Sequence, residues 1–134
     1  MNRINFIRHL ILGGAAALAA KFTVAANTEK ATDVYLDSLY IAGFQYYQGT
    51  EAERFFKEND LLVLQRQPKN PHDYFAVEVY YGNKKLGYLP RSDNKMIARM
   101  MDQGVGVHAQ IRSIDPDGHP YRRVKIRVYS GRGC

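Results

Sequence analysis

Two β-rich runs on either side of Gly82-Asn83 constrain the fold of this chain most. Tyr74 to Tyr81 is dense in aromatic and β-branched residues, and Leu86-Gly87-Tyr88-Leu89 returns after the turn. Such a pair reads as a β-hairpin. The loop that feeds it, Gln65 to Asp73, contains Pro68, Pro71 and an Asn-Pro step. Proline fixes its own φ and biases the preceding residue towards extended backbone, so the loop is expected to hold one shape. Polar groups held rigidly beside a hairpin can form a binding edge.

Further strands follow from pattern. Leu39-Tyr40-Ile41-Ala42 reads as the first, with a bend at Gly43 and an extended Phe44-Gln45-Tyr46-Tyr47-Gln48-Gly49 after it. Successive side chains of a strand point to opposite faces, so one of Tyr46 and Tyr47 is expected to be accessible. It could serve as a stacking platform for a base or as a half-buried strand residue. Thr50-Glu51-Ala52-Glu53 has the form of a capping box, with Thr50 as the cap of a short helix to about Glu58. Leu61 to Leu64 reads as a strand. Ser92 is placed as the cap of a second helix whose Met96, Ile97, Met100 and Met101 face the core. Val105 to Ile114 is a strand, and Asp115-Pro116-Asp117-Gly118 a turn. In Tyr121 to Tyr129, Val124, Ile126 and Val128 alternate with Tyr121, Arg123, Lys125, Arg127 and Tyr129. Five or six short strands with two short helices predict a mainly β fold, a small closed or nearly closed barrel.

Residues 1–26 have the features of an export signal: Arg3 and Arg8, the apolar run Leu10 to Ala20, then Val24-Ala25-Ala26. Eleven apolar residues make about 16 Å of helix, short of the roughly 30 Å hydrocarbon core, so no stable membrane span is expected. Cleavage near Ala26 would release an exported, periplasmic or extracellular chain, and an uncleaved leader would anchor it. Ile4 occupies the place of a second arginine in a twin-arginine leader, which favours the general secretory route. Residues 27–38 read as a flexible lead-in and 131–134 as a tail. The lone cysteine, Cys134, can form neither an internal disulfide nor a cysteine zinc site. The formal net charge of +6 is uneven: residues 91–134 hold nine Lys/Arg against four Asp/Glu, and residues 27–90 seven against nine. A local basic patch suits an anionic partner.

No hydrolase elbow, Walker loop or His-Glu-x-x-His motif is present, so no enzyme, cofactor or metal is expected. His72 and Asp73 are adjacent and point apart on extended backbone, which argues against an acid–base pair. Asp73 after Asn70-Pro71 reads instead as an acceptor that fixes the loop or meets a ligand hydroxyl. The outward residues Arg123, Lys125 and Arg127 could contact a phosphate backbone, with Tyr121 and Tyr129 for stacking, or could be charges that protect a strand from aggregation.

Ile41-Ala42-Gly43-Phe44-Gln45-Tyr46-Tyr47, Leu62 to Arg66, Asn70 to Val77 and Leu86 to Arg91 form an ordered set. With these motifs, the region from about residue 39 to 130 resembles the HIRAN domain. The resemblance implies an OB-like barrel that binds nucleic acid, with single-stranded DNA as partner and a preference for free 3′ ends. By position it assigns Gln45, Tyr46 and Tyr47 to bases and backbone, and Asn70, His72 and Asp73 to an end-binding pocket. Asp73 would accept from the 3′ hydroxyl, and Tyr88 and Arg91 would sit at phosphates. Gln45 and His72 replace an arginine and a tyrosine of the DNA-binding members. The alternative is an exported envelope protein that holds a peptide or small hydroxylated ligand in the same loop.

Overall fold

A computed structural model describes residues 33–131. The leader over 1–26, the lead-in before residue 33 and Cys134 lie outside the described residues. Among the described residues there are six strands: β1 (Val34–Tyr40), β2 (Leu61–Arg66), β3 (Val77–Tyr81), β4 (Lys84–Tyr88), β5 (Val107–Ile114) and β6 (Val124–Ser130). Two α-helices, α1 (Gly49–Ala52) and α2 (Lys95–Asp102), accompany three single 3-10 turns at Phe44–Tyr46, Glu53–Phe55 and Pro120–Arg122. All sheet pairings are antiparallel, in the order β1-β6-β5-β2-β3-β4. The two outer members meet just past the end of β1. Ala42 and Tyr88 exchange backbone hydrogen bonds of 2.8 and 2.9 Å, which closes the sheet into an OB-like barrel.

The strand period sets the core. Val124, Ile126 and Val128 are all buried, as their alternation predicts, beside Ala109 and Ile111 of β5 and Val77 and Val79 of β3. Each buried Val, Leu or Ile contributes about 1.5–3 kcal/mol, and a one-residue slip of β6 would expose all three while burying Lys125 and Arg127. That cost fixes the register of β6 against both neighbours. The hairpin turns as read, with Gly82 at φ 60°, where a type II′ turn favours glycine.

Several expectations need correction. Residues 34–38 belong to β1 rather than a lead-in. Phe44-Gln45-Tyr46 is a 3-10 turn, not extended, because Gly43 at φ 72° turns the chain and Phe44 buries against Gly49 and Phe56. Thr50 is no cap: α1 begins at Gly49, and Glu53 is held by Arg123 instead of reaching back to the helix start. α2 begins after Asn94, not Ser92, and buries Ile97 and Ala98 while Met96 is 67% exposed. Tyr121 and Arg123 precede β6. Among the described residues, no helix is long and apolar enough to cross a membrane.

Candidate nucleic-acid interface

The loop between β2 and β3 is braced by its own side chains. The Asn70 carboxamide oxygen accepts from the backbone N–H of His72 (2.8 Å) and of Asp73 (3.1 Å), an Asx-type turn. Its amide nitrogen donates to Gln67 Oε1 at 2.7 Å. Asp73 Oδ1 accepts from the Phe75 N–H at 3.0 Å, and Oδ2 accepts from Asn94 Nδ2 at 2.7 Å. Asn94 is 1% exposed, so a buried donor at the N-cap of α2 aims the carboxylate. A carboxylate offers about four lone-pair sites, and two remain for a ligand.

The opposite wall comes from the segment after β1. Tyr46 N donates to Gly43 O at 2.9 Å, and Gln48 pairs with the Lys85 backbone through its N–H (2.9 Å) and its Oε1 (3.1 Å). These bonds carry Tyr46 and Tyr47 outwards together. Tyr46 is 76% exposed and Tyr47 38%, so both are accessible where alternation allowed one.

Between the walls lies a cavity of about 310 Å³. Tyr46, Tyr47, Asn70, His72, Asp73, Tyr88 and Arg91 line it, together with Ala42, Gly43, Ala76 and Leu89. Seven of the eight residues assigned from the sequence therefore converge. Gln45 does not line the cavity: its Oε1 is buried without a hydrogen-bond partner among the described residues. Arg123 does not line the cavity either; its guanidinium forms a charge-assisted fork on Glu53 at 2.7 and 2.8 Å. The hydrogen bond to Glu53 raises the pKa of Arg123, so the group stays charged.

Sequence reasoning missed the ammonium behind the tyrosines. Lys85 Nζ lies 4.4 Å from the Tyr47 ring centroid and 4.3 Å from that of Tyr88, donates to Tyr88 Oη at 2.7 Å and pairs with Glu78 at 3.3 Å. Tyr88 Oη donates onward to Gln67 Oε1 at 3.0 Å, which joins this cluster to Asn70. Burial lowers the Lys85 pKa, but the Tyr88 hydroxyl and the Glu78 charge outweigh it and hold the pKa above its ordinary value. Burial, then the neighbouring Tyr88, raises the Tyr47 phenol. The cation between two rings could not be read from Lys84-Lys85, which resembles any solvated hairpin end.

The HIRAN domain family model matches residues 36–131. Two similar proteins are helicase-like transcription factors: that of Oryctolagus cuniculus is 32% identical over 80 residues, 59% of this chain and 7% of that protein. That of Homo sapiens is 30% identical over 95 residues, 69% of this chain and 9% of that protein. The chain thus spans less than a tenth of the length of these relatives. A crystal structure of a Lactobacillus plantarum protein shares the fold with TM-score 0.67 and 23% identity, over 75% of this chain and 97% of that one. The HIRAN domain of human HLTF does so with TM-score 0.61 and 20% identity, over 75% and 78%. This family likeness suggests a nucleic-acid-binding module. With a model match over most of its length and the same barrel, the chain belongs to the HIRAN domain family.

Proposed function

We propose that the cavity binds the free 3′ end of single-stranded DNA. The observation that carries this reading is the placement of Asp73: its carboxylate is oriented by Asn94 and Phe75 and lines the same cavity as Tyr46, Tyr47 and Arg91. An ionised carboxylate only accepts hydrogen bonds, so it favours a terminal hydroxyl and repels a terminal phosphate. Exposed rings suit unpaired bases, since base–aromatic stacking is worth about 1–3 kcal/mol per base. Arg91 is exposed and forms no ion pair among the described residues, which leaves it for a phosphate.

The test is a titration of the protein with one oligonucleotide carrying either a 3′ hydroxyl or a 3′ phosphate. The hydroxyl form is expected to bind at least tenfold more tightly, a difference of about 1.4 kcal/mol. Equal affinities would remove the end preference. Binding that ignores salt would point to a peptide or small hydroxylated ligand in its place.

A further inference from the structure

The outer face of β1, β6 and β5 begins where the cavity ends. Residues two apart on a strand share a face, so Ser38, Tyr40 and Ala42 lie on one side of β1 and its extension, and Ala42 lines the cavity. Tyr40 pairs with Lys125 across the ladder, Ser38 with Arg127, and Tyr35 with Tyr129. The Lys125 ammonium stands 5.4 Å from the Tyr40 ring centroid. Tyr129 packs edge-on against Tyr35 at 5.9 Å and is stacked on His108 at 5.6 Å with an 18° interplanar angle. The strip ends at Asp33, whose carboxylate is 3.4 Å from His108 Nε2.

Among the described residues Lys125 and Arg127, like Arg91 at the cavity, have no carboxylate within salt-bridge distance, whereas Arg66, Lys84, Lys85 and Arg123 each have one. Along β6 they are two residues apart, about 6.6 Å, with rings at either end of a run of about 13 Å from Lys125 to Tyr129. Two neighbouring cations flanked by rings suit the phosphates and bases of an extended single strand.

We propose that this strip binds the nucleotides leading away from an end seated in the cavity, with Lys125 and Arg127 at phosphates and the exposed Tyr40 as a stacking platform, an extension that rests on the single-strand reading above. The experiment compares a thymidine trimer with a thymidine decamer, both with free 3′ hydroxyls, on the wild-type protein and on the Lys125→Gln/Arg127→Gln double variant. Wild type is expected to bind the decamer more tightly than the trimer. The double variant is expected to keep its trimer affinity and lose the decamer's advantage. Its slope of log Kobs against log salt for the decamer falls by about 1.4, at about 0.7 per phosphate contact on a single strand. Should the double variant melt early, Arg127→Gln alone repeats the test with a fall of about 0.7. A decamer whose advantage and slope survive both substitutions overturns the strip and leaves the cavity reading intact. A trimer that does not bind, with a decamer that still loses slope in the variant, overturns the cavity reading and supports the strip. If neither oligomer binds, both readings fall.

Discussion

Asp73 serves the fold and the cavity with one carboxylate. Oδ2 takes the Asn94 amide and Oδ1 the Phe75 N–H, so the loop and the start of α2 are tied at the point where a ligand would be met. Asn94→Ala should therefore destabilise the protein by about 1–3 kcal/mol, the usual cost of stripping a buried polar partner. Urea unfolding measures that loss, and an unchanged midpoint would show that the amide bears no load. The acid itself was legible in Asn70-Pro71-His72-Asp73, because prolines and an Asx turn act locally. Its partner was not. Asn94 is twenty-one positions away, and nothing near it in the chain marks a helix cap whose amide is committed elsewhere.

At the scale of elements, strands were read best and short helices worst. β6 declares itself through Val124, Ile126 and Val128, since burial on one face must repeat every second residue. The region from Phe44 to Phe56 carries no comparable period. Isolated helical turns this short are not stable by propensity, so tertiary partners decide them: Phe44 against Phe56, and Glu53 against Arg123 seventy residues on. The barrel's closure depends on another such contact. Gly87 has φ 147°, and a methyl there would run into the Ala42 carbonyl oxygen. Gly87→Ala is expected to lower stability by roughly 3 kcal/mol or more, through strain and loss of the Ala42–Tyr88 pairing. Thermal melting checks it, and a variant that melts with the wild type would place the closure elsewhere.

For the whole molecule, the pKa shifts set an alkaline limit. Lys85 is raised from an ordinary 10.5, burial being outweighed by Tyr88 and Glu78. Tyr47, Tyr80 and Tyr81 are raised from 10.0, by burial for Tyr47 and Tyr81 and by the hydrogen bond to Glu78 for Tyr80. In each case the protonated form is favoured by folding. The associated stability is complete below the unfolded pKa and disappears as pH rises through the folded one. The urea midpoint is expected to hold to about pH 9.5 and fall above it, with a shallower fall in Lys85→Met. A midpoint level to pH 11 would contradict this.

Among the described residues the margins of the cylinder are joined by the Ala42–Tyr88 bridge and the Gln48–Lys85 hydrogen bonds, and Ala42 and Tyr88 also wall the cavity. Whatever fills that hollow spans this seam and splints it. A guest that favours the closed form strengthens the body holding it, in proportion to how far its concentration exceeds its dissociation constant.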